Sequence, residues 1–326
     1  MSLPFGRLIT NYTKLKICSR YWTRCRIKKV KPFSLSDQES LWDLATTHYE
    51  NFPVSPRFFS SKRRQALKAI YAFARTADDI ADDASIPQNE RLFNLRKFKQ
   101  ALSYVEGSTN DSPSPFFTTL KKICLEHQLP ISAFYDLLSA FEQDVIKSTY
   151  QDIDEVIDYC QRSACPVGAL VLALYKEQKH THASESVCIA LQLINFAQDI
   201  DSDLKDRNRC YIPLCDLAAA NLTLNTMLQA PHSLQQQAIA PLLEKAQLLL
   251  IEGQSLANIK PFTLRLYCRC VIESAAILLD KLARRTCFNE RPILTKLDRC
   301  VVLIRALTGV SKLRSSQRFV QQTEST

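Results

Sequence analysis

Arg75-Thr-Ala-Asp78-Asp79-Ile-Ala-Asp82-Asp83 packs four carboxylates into its last six residues. It ends a stretch in which Ala66, Ala69, Ile70, Phe73, Ala77 and Ile80 recur at three- and four-residue spacing, which predicts a helix from about Ser61 to Asp83. On a helix Asp78 stacks on Asp82 and Asp79 on Asp83, about 6 Å apart. Such pairs repel, and a pair turned to the interior calls for a cation. A second segment, Gln192-Leu-Ile-Asn195-Phe-Ala-Gln198-Asp199-Ile-Asp201-Ser-Asp203, repeats the design. Asn195, Asp199 and Asp203 form an i, i+4, i+8 ladder with Gln192 a turn earlier, flanked by Ala190, Leu193, Ile194, Phe196, Ala197 and Ile200.

A single acidic run is most often a solvated helix face. Two runs of one spacing, each inside an apolar helix and each accompanied by basic or amide groups, point instead to a metal and a diphosphate. Oxygen-only ligands select hard cations, and Mg²⁺ takes a few carboxylates together with substrate phosphate oxygens. The expected metal ligands are Asp78, Asp82, Asn195, Asp199 and Asp203. An EF-hand is excluded, since neither run has that loop's spaced oxygen ligands and central glycine.

Working outward, the rest of the chain also reads as helical. Of 326 residues 46% are hydrophobic and only 5 are glycine, with no βαβ rhythm and no glycine-rich phosphate loop. Ser36 and Glu39 make a capping box that starts a helix, which Pro53 and Pro56 stop. Gly107 to Pro115 is a loop, Leu129-Pro130 marks another break, and one short helix lies between them. Further helices are predicted over about 131–148, 152–178 (interrupted near Pro166 and Gly168), 184–206, 233–256, 262–286 and 292–308. The expected architecture is a single all-α helical bundle over 37–310 around a central apolar cavity, with a polar tail over 311–326.

The net charge of +9 is not spread evenly. Residues 1–36 carry nine Lys and Arg and no acid, so the remainder is balanced and a general nucleic-acid surface is excluded. That leader reads as a disordered arm able to touch anionic lipid, as a mitochondrial presequence, or as an extended start. No run approaches the roughly 18 apolar residues of a membrane span, so the chain is expected to be cytoplasmic or peripheral at a membrane, with a mitochondrial location as the alternative. Twelve cysteines lack a Cys-x-x-Cys or histidine partners at ligand spacing, which favours reduced, buried thiols.

At these residues the chain resembles the squalene and phytoene synthase family, from about His48 to Leu282. Tyr71-Ala-Phe-Ala-Arg75, both aspartate ladders and Arg209-Cys-Tyr211-Ile-Pro213 carry the likeness. Three further strings resemble the hydroxysqualene synthase branch: His48-Tyr-Glu-Asn-Phe-Pro-Val54, Ala140-Phe-Glu-Gln-Asp144 and Tyr159-Cys-Gln-Arg-Ser-Ala-Cys-Pro-Val-Gly168. Condensing members usually have His-x-Lys-Ser-Phe at the first string and an arginine just before the second ladder's first aspartate. Here those places hold Glu50, Asn51 and Gln198, which suits a substrate with one diphosphate.

The resemblance implies an isoprenoid synthase fold and the conversion of presqualene diphosphate and water to hydroxysqualene and pyrophosphate, with Mg²⁺ and without NADPH. It implies catalytic roles for Asp78, Asp82, Asp199 and Asp203. Arg75 with Arg207 or Arg209 would grip phosphate, and His48, Asn51 and Gln192 would orient phosphate or water. The spacing from Asp203 to Tyr211 is one residue longer than the family pattern, which leaves open which arginine acts. Phe52, Tyr71, Phe73, Phe196, Tyr211 and Tyr267 are candidate aromatic walls for a carbocation, each with ordinary core packing as the competing reading. Arg162 is expected to pair structurally with an acid. The rival readings are a condensing squalene or phytoene synthase and a non-catalytic assembly factor for a mitochondrial respiratory complex. Oligomeric state is open.

Overall fold

The computed structural model describes residues 56–309 and 311. The basic leader, the helix expected after Ser36, the residues His48, Asn51 and Phe52, and the tail from 312 lie outside the described residues. Among the described residues every regular element is helical.

Helix α1, Ser61–Asp82, starts where the Ser60 side chain accepts from the Arg63 amide, and it ends one residue short of the expected limit because Asp83 leaves the helical region. Helix α2, Gln88–Glu106, was not among the expected elements. Its apolar positions Leu95, Phe98, Leu102 and Val105 are helically spaced, and Gly107 closes it in the left-handed conformation (φ 97°). Five charged residues in the first twelve hide the pattern. Helices α3 (Pro115–His127) and α4 (Ile131–Ile146) follow the expected breaks. The element expected over 152–178 is two helices, α5 (Ile153–Ser163) and α6 (Cys165–Ala173). The break falls at Ala164, just ahead of Pro166, whose ring suits a helix start and not an interior.

Helix α7, Thr181–Arg207, carries the second ladder, and a short helix α8, Leu214–Ala219, follows it. The next expected helix divides into α9 (His232–Glu252) and a 3₁₀ turn (Gly253–Asn258), ahead of α10 (Phe262–Ala283) and α11 (Lys296–Thr308). Both of the last two are shorter than expected, since α11 waits for its capping box at Thr295 and Asp298. The irregular stretch 284–295 between them becomes important below.

One aromatic knot ties α1 to α2, α3 and α4. Phe73 lies 4.8 Å from Phe98 and 4.9 Å from Phe134, and Phe98 lies 5.2 Å from Phe117, ring centre to ring centre. All four are fully buried. Phe73 is therefore core packing and not a wall of a reaction chamber. On the other side α7 packs against α6, α9 and α10. Gly168 lets α6 approach closely: a β-carbon there would lie 2.6 Å from both the Cys188 sulfur and the Ser184 hydroxyl. The two aspartate helices do not pack along each other; α4 and α6 pack on α1, while α5 and α6 pack on α7. The ten cysteines among the described residues are free thiols, most of them buried.

Candidate active site

The C-terminal turn of α1 and the last two turns of α7 meet through arginine. Arg207 donates from Nε to Asp82 at 2.7 Å and from Nη1 to Asp203 at 3.0 Å, so one guanidinium spans the two aspartate segments. Arg209 also reaches Asp82, at 2.7 Å, and stands 3.8 Å from Asp144. Local backbone explains how arginines two apart converge on one acid. Helix α7 stops at Arg207, Asn208 turns left-handed (φ 53°), and the Arg209 amide folds back onto the Asp203 carbonyl at 2.9 Å. The next amide, Cys210, bonds to the Ser148 carbonyl beyond α4 and pins the reversal. Both arginines therefore share the position that the sequence left open between them.

Asp144 on α4 underlies the cluster. It accepts hydrogen bonds from Tyr159 (2.6 Å) and Tyr211 (2.8 Å). The Tyr211 ring stacks on Phe196 with centroids 3.8 Å apart and planes within 5°, and Tyr159 and Tyr150 complete an aromatic floor. Arg75 pairs within its own helix with Asp78 at 3.3 Å and Asp79 at 2.7 Å. Tyr71 is half-buried one turn earlier, and Gln192 and Asn195 are half-buried along α7. Asp83 is turned away, accepting from the amide and hydroxyl of Ser85. Tyr267 is not brought to the aspartates. It rests on Phe59 (5.4 Å) before the start of α1, about 25–30 Å along the helix axis from Asp78. Arg162 pairs with Asp158 at 2.8 Å and with Gln143 at 2.7 Å, a structural contact.

The third contributor has no signal in the sequence. Arg291, in the stretch between α10 and α11, makes a two-pronged bond to Asp199, with Nη2 to Oδ2 at 3.0 Å. Gln198 beside it donates to the Pro292 carbonyl at 2.5 Å. Arg285 is buried and donates to main-chain carbonyls: Ala197 on α7 (2.5 Å), Cys287 (2.6 Å) and Phe288. Three side chains thus stitch residues 285–292 onto α7 at 197–199. A partner 92 residues away leaves no periodic trace. Asp144 was visible only as part of a family string, without a role.

Crowding shows in the acidities. Burial and the nearby Asp82 push the Asp78 carboxyl up to about 8. Burial raises Asp203 to about 7, with Asp199 and Asp82 adding to it and Arg207 opposing. Asp144 is raised to about 6 by burial. Arg207 cannot neutralise Asp82 and Asp203 alone, so attraction to it does not cancel the cost of burying Asp203. Among the described residues six carboxylates (78, 79, 82, 144, 199 and 203) meet four guanidiniums (75, 207, 209 and 291) in these pairs. An all-oxygen donor set with more anions than cations fits a hard divalent ion, which would relieve the repulsion that the arginines meet only in part. Among the described residues no group of three or more His, Cys, Asp or Glu is set to hold a metal ion by itself.

A helical fold closing two aspartate segments around shared arginines defines a class, and a squalene/phytoene synthase profile matches residues 45–298. The chain belongs to the squalene/phytoene synthase family and is an enzyme that processes a prenyl diphosphate. Relatives include the hydroxysqualene synthase of Sinorhizobium fredii, 34% identical over 82% of this chain and 91% of that protein. The hydroxysqualene synthase of Rhodopseudomonas palustris is 32% identical over 82% and 90%. Among solved structures, squalene synthase HpnC from Alicyclobacillus acidocaldarius superposes with a TM-score of 0.67 at 30% identity, covering 76% of this chain and 92% of that one. A ligand-bound dehydrosqualene synthase shares the fold, with a TM-score of 0.71 at 18% identity. No helix of the described residues is long and apolar enough to cross a membrane.

Proposed function

We propose that the enzyme converts presqualene diphosphate and water to hydroxysqualene and pyrophosphate in a Mg²⁺-dependent reaction that uses no NADPH. The carrying observation is the Arg207 bridge between Asp82 and Asp203, which makes one site of two segments more than a hundred residues apart. The choice of reaction is supported by the two hydroxysqualene synthases aligned over nine-tenths of their length. The missing arginine at Gln198 supports it less than the sequence suggested, because Arg291 brings a cation to Asp199 from another segment.

Asp78, Asp82, Asn195, Asp199 and Asp203 would hold Mg²⁺, which when bound supplies Lewis-acid stabilisation of the leaving diphosphate oxygen. Arg207, Arg209 and Arg291 exchange carboxylate partners for diphosphate oxygens as the substrate docks. The carbon–oxygen bond breaks with both electrons leaving on the diphosphate. Phe196 is assigned to offer its outer ring face to the cation, attracting it without adding to it, with Tyr211 stacked behind it between Phe196 and Tyr150. Water then adds to the rearranged cation, and its proton leaves on the released pyrophosphate. His48 and Asn51 are assigned to orient that water or the phosphate. The nine cations of residues 1–36 are assigned to a surface arm that meets anionic lipid.

The test is pyrophosphate release and lipid analysis with presqualene diphosphate, with Mg²⁺ or EDTA. Hydroxysqualene formed only with Mg²⁺, and lost in Asp82→Ala and Asp199→Ala with the helical signal intact, is the expected result. Coupled products from farnesyl or geranylgeranyl diphosphate alone would establish a condensing synthase instead. No turnover with any prenyl diphosphate would remove the catalytic reading in favour of a scaffold.

A further inference from the structure

Helix α11 is amphipathic in an inverted sense: its outward side is the apolar one. Val302 and Ala306 are buried, Asp298 turns in to Lys281 (2.6 Å), and Arg305 turns in to Glu273 (3.5 Å). Leu297 (78% exposed), Ile304 (61%) and Leu307 (53%) face out, joined by Val301, Leu303 and Cys300. At 100° per residue these six cover an arc of about 160°. Ile293, just before the helix, is exposed as well. A soluble surface scatters its apolar side chains, and a contiguous strip of several hundred Å² marks a contact site.

Charge selects the occupant. The exposed cation Lys296 stands within the strip at its first turn and Arg299 lies at its edge, and the sequence beyond the helix adds Lys312, Arg314 and Arg318 against one acid, Glu324. A second copy meeting this face about a two-fold axis would set the basic border against itself. The chain's own leader, cationic and free of acid, would meet the same repulsion. The exposed side chains are Leu, Ile and Val, with none of the aromatic or methionine anchors enriched at protein interfaces. An aliphatic strip one helix wide with cations at its edge is the build of a helix lying in a bilayer interface. We infer that α11 docks the enzyme on an anionic lipid surface, with Leu297, Ile304 and Leu307 entering the acyl boundary.

The experiment uses the full chain and sedimentable vesicles of phosphatidylcholine with or without phosphatidylglycerol. The wild type should pellet with anionic vesicles, less with neutral ones and less at high salt. The triple variant Leu297→Gln, Ile304→Gln, Leu307→Gln keeps the net charge and should bind at least tenfold more weakly, with unchanged turnover in detergent. A polarity-sensitive dye on Cys300, with Cys18, Cys25, Cys215 and Cys287 replaced by serine, should shift to the blue on vesicles and be quenched by lipid-borne nitroxide. The inference fails if the triple variant pellets like the wild type, which would leave the leader as the whole of the lipid contact. It fails equally if the dye stays water-like, or if the wild type ignores vesicles and forms a dimer that the variant abolishes.

Discussion

Replacing Asp78 by asparagine should abolish turnover and stabilise the fold, because the carboxylate is held in place against its own electrostatics. Burial and Asp82 raise its pKa from 3.8 to about 8. At about 1.4 kcal/mol per tenfold change, the ceiling on that cost is roughly 6 kcal/mol. The side chain keeps 32% exposure, and solvent screening at that level reduces the expected gain to about 1–3 kcal/mol. Arg75 is not orphaned by the change, since Asp79 holds it at 2.7 Å. The folded chain binds the Asp78 proton more tightly than the unfolded chain does. Wild-type stability attributable to this group is therefore full below about pH 4, falls as pH rises towards 8, and stays low above. Asparagine carries no such dependence. Urea unfolding followed by far-ultraviolet circular dichroism at pH 5, 7 and 9 should show the variant gaining on the wild type as pH rises. A variant less stable than the wild type at pH 9, or a difference that does not change with pH, would refute the reasoning.

Arg291→Gln should lower turnover tenfold or more, about 1.4 kcal/mol of barrier, and shift the Mg²⁺ requirement to lower concentration as Asp199 loses a competing cation; wild-type values for both would remove Arg291 from the site. Gly168→Ala should cost about 1–3 kcal/mol by overpacking the α6–α7 contact, seen as a lower urea midpoint, and an unchanged midpoint would mean that the Cys188 and Ser184 side chains yield freely. Tyr211→Phe keeps the stack on Phe196 and removes one hydroxyl from buried Asp144, for a loss of about 1–3 kcal/mol; wild-type stability would show that the Tyr159 bond suffices.

What could be read from the sequence was what is periodic or local. The ladder residues Asp78, Asp82, Asp199 and Asp203 lie on helices whose apolar spacing announced them, whereas the Asn208 turn that brings Arg207 and Arg209 to one acid showed only as a spacing one residue longer than the family pattern. Helix α2 was missed although Pro87 and Gly107 bracket it, because its charged first half masks the apolar positions behind them. Phe73 and Phe196 look alike in sequence, each an aromatic a few residues from an aspartate, yet one is locked among Phe98 and Phe134 and the other is stacked under the site. Helix direction separates them, and only tertiary packing reveals which face looks where. Arg291 and Arg285 sit in irregular backbone, where position is set by hydrogen bonds to α7 and by no repeat. The repulsion within the ladders was legible; which arginines answer it was not.

A crystal structure of the enzyme with Mg²⁺ and inorganic pyrophosphate bears most directly on the claim that both aspartate segments grip one diphosphate. The account predicts metal density coordinated from both sides, by Asp82 and by Asp199 or Asp203, with Arg207 turned from its carboxylates onto pyrophosphate oxygens. Pyrophosphate bound elsewhere, with the Asp82–Arg207–Asp203 bridge intact and no metal between α1 and α7, would contradict it.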